Sequence, residues 1–414
     1  MKISAKLIAM LLFVAMPLMA QTDYWEPQTN FTGYVGTEFN YFNGLKGYER
    51  DYSIALSEAG FLSSYQPTRD LTITGVLVYR PNFSFEQMLN ELNAQYSINN
   101  SLNLKAGRFL TPLSPMNTYY YAPVNNSATL PMIITNHEFF PLNMDAVSLN
   151  GEVGEDIRFN YNVFAGGFKN SLYQGSGAMG FFATESEYFQ NQRMPAESLG
   201  YDMITDPNES LQFGGGGYLG ININNFISLG AGLFSSDENI TTTSRLIRFE
   251  EADEFDFDGI DMGDFDFSQW EVHDDHYVRT SSIESKIKKT SFGGNIKMHY
   301  SSFSLIGEYW QTKAKLKTFG FNTDLNLKGA YVEISNNFYI NSLGSITPYL
   351  RYEYHSVPEI GASMVSDNSQ EYYRYTAGVN FKPSFETTFK MEYVYYEYGS
   401  LDLGGLVLSA IFSF

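Results

Sequence analysis

Apolar and polar residues alternate along much of the chain, most regularly at its end. Leu406, Leu408, Ala410, Phe412 and Phe414 interleave with Val407, Ser409, Ile411 and Ser413. Further back, Phe389, Met391, Tyr393 and Tyr395 oppose Lys390, Glu392, Val394 and Tyr396. Tyr373, Tyr375, Ala377, Val379 and Phe381 oppose Tyr372, Arg374, Thr376, Gly378 and Asn380, and Leu350, Tyr352 and Tyr354 oppose Arg351, Glu353 and His355. Successive side chains of a strand point to opposite faces, so each segment predicts a strand with one oily face and one charged face.

Counting such segments predicts sixteen strands, within a range of fourteen to eighteen, at about 31–43, 53–64, 70–80, 89–97, 101–109, 145–152, 156–166, 211–220, 225–234, 290–300, 302–311, 327–336, 344–355, 371–381, 386–397 and 404–414. Short links follow the even-numbered segments, among them Gln66–Arg69, Ile98–Asn100 and Lys382–Phe385, and most long links follow the odd-numbered ones. Short turns at one end and long loops at the other are the habit of transmembrane β-barrels, whose oily face meets lipid and whose charged face lines the lumen. A water-soluble sandwich has no reason for that asymmetry. The expected fold is therefore an all-β, transmembrane antiparallel barrel whose third long loop folds inward.

Composition agrees, with 31 Tyr, 34 Phe and 35 Gly and no Cys. The missing thiol excludes disulfides, thiolate metal sites and a lipid-anchored lipoprotein. Lys2 and Lys6, an apolar run from Leu7 to Met19 and a small residue at Ala20 read as a secretory signal, with cleavage near Ala20; an uncleaved anchor is the alternative. The expected organisation is a signal over 1–20, a short periplasmic segment over 21–30 and the barrel over 31–414, in the outer membrane of a Gram-negative cell. There the chain meets lipid and lipopolysaccharide. The alternating last strand ending on Phe414 resembles the signal read by the barrel assembly machinery. Net charge is −20, which argues against nucleic acid as a partner.

Two loops stand out. Residues 110–144 hold Pro112, Pro115, Pro123, Pro131 and Pro141 together with Tyr119, Tyr120, Tyr121, Phe139 and Phe140. Proline cannot donate to a strand ladder, and so apolar a loop is ill-suited to water. Folded into the barrel it would narrow the lumen, with Asn117, Asn125, Asn126, His137 and Glu138 as polar candidates at the constriction; packing over the outer mouth is the other reading. Residues 235–289 hold twelve acids between Glu250 and Asp275 and no bases. Asp256, Asp258 and Asp261 there faintly resemble a calcium loop, but Phe265 stands where the last carboxylate ligand belongs, which leaves only loose Ca²⁺ binding.

The run Gly107-Arg108-Phe109-Leu110-Thr111-Pro112-Leu113, with Asn117, Pro131 and Pro141, resembles the segment entering the constriction loop of the porin superfamily, closest to phosphate-selective porins O/P and short-chain relatives. The likeness covers about forty residues. It implies a sixteen-strand pore, often a homotrimer, with Lys105 and Arg108 near the constriction. Strict alternation puts those two on opposite faces, so one needs a bulge or belongs to the loop. Phosphate selectivity does not carry over. The face assigned to the lumen has Lys105, Arg158, Lys297, Arg351, Arg374 and Lys390 against Glu38, Glu58, Glu91, Glu308, Glu333, Glu353 and Glu392, close to balance.

These features point to passive diffusion of small polar solutes and ions, without a cofactor. An adhesin or ligand-binding barrel acting through the acidic, aromatic loop 235–289 is the alternative. An enzyme would need a nucleophile beside one of five His, and no compact motif accompanies them. A plugged transporter would need more than the ten or so residues before the first strand.

Overall fold

The computed structural model describes residues 25–43, 52–80, 88–99, 101–116, 120–135, 139–169, 201–208, 211–249, 270–272, 276–318, 321–341, 343–361, 364–398 and 401–414. They form one closed antiparallel barrel of sixteen long strands. In chain order these are β1 (Gln28–Asn43), β2 (Tyr52–Thr68), β3 (Leu71–Tyr79), β4 (Leu89–Asn99), β5 (Leu102–Leu110), β6 (Asn143–Val153), β7 (Ile157–Lys169), β9 (Leu211–Ile223), β10 (Ile227–Phe249), β12 (His276–Tyr300), β13 (Phe303–Thr318), β14 (Phe321–Asn336), β16 (Gly344–Gly361), β17 (Met364–Lys382), β18 (Thr387–Tyr398) and β19 (Leu401–Ser413). Three short pieces, β8 (Tyr201–Asn208), β11 (Trp270–Val272) and β15 (Phe338–Ile340), pair onto β10, β12 and β16. The barrel closes where β1 pairs with β19, from Tyr34 opposite Ser413 to Asn43 opposite Gly404. Beyond that register the backbones of Gly33 and Phe414 exchange two hydrogen bonds of 2.9 Å, and the Phe414 ring stands 79% exposed.

The two faces follow the alternation. On β16 and β18, Leu350, Tyr352, Met391 and Tyr393 point outward and are exposed, while Arg351, Glu353, Lys390 and Glu392 point inward and are buried. Among the described residues the last strand pairs with the first, which closes the sheet, and backbone pairing of this kind is the condition for crossing hydrocarbon. The short connections are tight. Between β9 and β10, Asn224 and Asn225 both take positive φ, 49° and 56°, as a two-residue turn matched to strand twist demands.

One expectation needs correction. Residues 235–289 are not simply a loop. β10 and β12 stay in register from Ile227 opposite Met298 to Phe249 opposite His276. At ~3.3 Å per residue a 23-residue strand runs roughly 75 Å, more than twice what a bilayer core requires. The outer half stands clear of lipid, where no oily face is needed, so the alternation that reveals strands is absent there. The acidic run, including Asp256, Asp258 and Asp261, lies outside the described residues except for Glu271 in β11.

Candidate functional site

Inside the barrel lies the segment from Thr111 to Leu142, which joins β5 to β6. It contains a single turn of helix, α1 (Met132–Thr135). Its irregular backbone has no ladder to satisfy it, yet buried N–H and C=O groups must find partners. The inward-facing charges of the barrel supply them. Carboxylates take the N–H groups: Ala128 and Thr129 donate to Glu392 at 2.7 and 3.0 Å, and Met132 donates to Glu353 at 2.6 Å. Cations take the carbonyls: Lys390 Nζ donates to Ala122 and Ser127 at 2.8 and 2.9 Å, Lys382 to Pro123 at 3.2 Å, and Arg374 to Leu130. The Asn380 amide adds a bond of 2.9 Å to the carbonyl of Asn126.

These charges also pair with each other. Arg351 bridges Glu333 at 3.2 Å and Glu353 at 2.7 Å, and Arg374 meets Glu353 from the next strand. Arg351 further donates to the hydroxyls of Ser127 and Thr129 at 2.9 and 2.8 Å. Glu392 accepts from Tyr349 and from the Thr129 hydroxyl. A buried charge stripped of its partner costs several kcal/mol, so this network holds the segment in one arrangement.

Around the polar anchors the packing is apolar. Leu113, Met116, Ile133, Ile134, Phe139 and Phe140 lie in one buried cluster with Trp310, Tyr331 and Phe234 of the wall. The rings of Phe140 and Trp310 meet edge to face at 4.8 Å. The wall makes room with glycine. A Cβ at Gly329 would meet Ile133 Cγ2 at 2.5 Å and Phe139 Cζ at 2.7 Å. Ser114, Trp310 and Tyr331 all donate to Glu308, at 2.6, 3.2 and 2.9 Å.

Beneath the segment, at the short-turn end, lies a polar cavity of about 410 Å³. Asn125 and Asn126 line it from above, and Lys297, His299, Glu333 and Thr347 line it from the wall. Arg158 sits at the same end, bound to Glu152 at 3.1 Å and to Asn225.

The residues read from the sequence thus divide. Glu308, Glu333, Arg351, Glu353, Arg374, Lys390 and Glu392 all face inward, but all except Glu333 spend polar atoms on holding segment 111–142, and Glu333 pairs with Arg351. Lys105 faces inward, opposite Ser148 and 5.0 Å from the Phe109 ring. Arg108 does not. The register of β5 with β6 runs without a shift from Asn103 to Leu110, so parity sends Arg108 outward. There it grips Asp145 with two bonds of 2.7 and 2.8 Å, opposite the exposed Leu92. Its expected place at the constriction is corrected by that parity. Gly107 takes φ 120° beside it, where a Cβ would meet the Leu92 carbonyl at 2.3 Å. Asn117, His137 and Glu138 lie outside the described residues.

Sequence reasoning missed Arg80 and Lys382. Arg80 sits just past β3, joined to Glu58 and donating to the Tyr120 hydroxyl at 2.6 Å. Both fall at strand ends, where alternation gives no face. The only available signal was that each is an isolated cation next to an apolar strand.

No family model and no curated protein matches this chain. Solved structures match the fold. The anion-selective porin from Comamonas acidovorans aligns with a TM-score of 0.56 at 12% identity, over 94% of this chain and 100% of its own. OmpTdeltaL8, a loop L8 deletion mutant of the Vibrio cholerae outer membrane protein OmpT, aligns at 0.52 and 10% identity, over 94% and 99%. In-vitro folded OmpT of Vibrio cholerae, in trimer form, aligns at 0.51 and 11% identity, over 94% and 100%.

Proposed function

We propose that this chain, which has the fold of the outer-membrane porins, is a non-enzymatic outer-membrane channel passing small polar solutes and ions by diffusion. In this reading segment 111–142 sets the width of the path. The observation that carries it is the joining of a closed sixteen-strand wall to an internal segment through inward-facing charges. Glu392 and Glu353 capture the segment's N–H groups, and Lys390 and Arg374 capture its carbonyls. Irregular backbone is tolerated at membrane depth where it is buried in protein or lines water.

Chemistry favours small, uncharged or weakly charged solutes. The wall's acids and bases largely neutralise one another, so no single-sign field is left to concentrate one ion over the other. The 410 Å³ cavity is lined by amides, hydroxyls, a lysine, a histidine and a carboxylate, groups that exchange hydrogen bonds with polar solutes, beside the apolar Met116 and Ile306. A homotrimer is the proposed assembly.

The test is swelling of liposomes carrying the purified chain, in isosmotic sugars of graded size. Entry of pentoses with exclusion of trisaccharides supports a narrow path. Absence of swelling for every solute, with the heat-modifiable electrophoretic mobility of a folded barrel intact, refutes it.

A further inference from the structure

Segment 111–142 is anchored to one side of the barrel. Its partners sit on β13 and β16–β18, with Glu58, Arg80 and Glu91 holding Tyr120, Tyr121 and Ala122 from the other flank. In a closed ring of sixteen strands, β6 and β7 stand half a turn from β17 and β18. The inward residues differ in kind across that diameter. Arg351, Glu353, Lys390 and Glu392 are buried, whereas Asn160 and Asn162 of β7 and Tyr218 of β9 are half-buried. The charges are consumed by the segment, and the polar groups left within reach of a solute on the facing arc are largely amides.

Glycine shapes this arc. Asn160, Gly220, Gly230 and Asn295 stand in register across β7, β9, β10 and β12. A Cβ on Gly220 would meet Tyr218 Cε1 at 3.0 Å, and one on Gly230 would meet Cε2 at 2.7 Å and run into the hydroxyl. Both edges of the Tyr218 ring therefore rest on the two glycines. The ring lies down along the wall and turns one face to the lumen. Asn160 and Asn295 flank it, and Asn162 stands opposite it in register. Asn295 is 9% exposed; its oxygen accepts from the Tyr218 hydroxyl at 3.3 Å, while its Nδ2 has no partner. Asn160 Oδ1 is likewise buried without a partner. Orphaned amide atoms of this kind are costly until a polar group takes them.

A donor on one flank, an acceptor on the other and an aromatic face between them match a sugar ring. The C–H face of a pyranose packs on the electron-rich face of an aromatic ring, and its hydroxyls both donate and accept. Nearby charges are mostly engaged. Glu152 and Arg158 bind each other at 3.1 Å, and Glu308, opposite Asn295, accepts from Ser114, Trp310 and Tyr331. Lys105 on β5 and Lys297, two residues along β12 from Asn295, are the cations an anionic solute would seek instead.

We propose that Tyr218, Asn160, Asn162 and Asn295 form a transit site for one neutral sugar ring, on the wall facing the anchored segment. The site rests on the channel reading and names the solute class of that channel. Binding there is weak, as passage requires.

The first readout is ion current through the full chain in a planar bilayer, titrated with D-glucose. Glucose at millimolar concentration partly blocks the wild-type current. Tyr218→Leu removes the aromatic face and raises the half-blocking concentration about tenfold. Tyr218→Phe keeps the face and stays within about threefold of wild type. Arg69→Gln, in an exposed turn, changes nothing. If Tyr218→Leu does not fold, Asn160→Ala with Asn295→Ala takes its place, with about tenfold weaker block. The second readout is saturation transfer from the protein, in a sugar-free detergent, to the C–H protons of glucose, which needs no current. It is strong for wild type and lost in Tyr218→Leu. A current that glucose leaves unchanged, or blocks equally in wild type and variant, overturns the proposal and leaves the channel reading standing. Stronger block by inorganic phosphate than by glucose overturns it as well. Electrical silence from the folded wild type refutes the channel reading; the sugar site then stands on saturation transfer alone, and equal transfer in wild type and Tyr218→Leu overturns it.

Discussion

Glu392→Gln is the sharpest single perturbation of the anchored segment. Glu392 is fully buried and receives four donors: the backbone N–H groups of Ala128 and Thr129, the Thr129 hydroxyl, and the Tyr349 hydroxyl. The amide keeps one acceptor oxygen and turns an NH₂ toward a donor. At least one backbone N–H is then left unsatisfied, at about 1–3 kcal/mol, and the surviving bonds lose the charge that strengthened them. Together this weakens the attachment by about 3 kcal/mol, or about two decades in the population of the released state. The chain has no Cys, so Ile134→Cys, at a position 2% exposed, is a clean reporter. A membrane-impermeant maleimide labels it only when the segment lifts. Adding Glu392→Gln raises the labelling rate about a hundredfold, whereas Glu152→Gln at the short-turn end leaves it unchanged. A rise below about threefold, with the barrel folded, refutes the anchoring role.

Arg108→Ala leaves conductance and ion selectivity unchanged, because the side chain faces outward; losing its two charged bonds to Asp145 costs about 1–3 kcal/mol of stability, read as a lower denaturant midpoint. A changed reversal potential would show that Arg108 reaches the lumen. Gly329→Ala drives a methyl into Ile133 and Phe139, and overpacking of this kind costs about 1–3 kcal/mol. It raises labelling of the Ile134→Cys reporter about tenfold with the barrel intact, and unchanged labelling would mean that the contact yields without strain.

The membrane-embedded fold was legible in the sequence because lipid enforces it. Outward positions that meet hydrocarbon, such as Leu350, Tyr352, Met391, Tyr393, Leu408 and Phe412, must be oily, and a period of two results. Above the lipid that demand stops. The stretch Thr241-Thr242-Thr243-Ser244 in β10 keeps strand pairing without an apolar face, so periodicity could not find it. Parity alone assigned Arg351, Glu353 and Lys390 inward. It could not reveal that their partners are backbone groups and hydroxyls of a loop some 220 to 270 residues away in sequence. Arg108 shows the converse failure. A motif likeness drew it toward the constriction, while unbroken alternation from Lys105 already placed it on the other face.

The most direct measurement is single-channel conductance in a planar bilayer, comparing the wild type with a chain in which residues 120–134 are replaced by a short Gly-Ser linker. The account predicts a small, steady conductance for the wild type and a severalfold larger one for the shortened chain, since the obstruction is gone and the wall charges are left to water. Equal conductance for the two, or electrical silence from both while correctly folded, would contradict it.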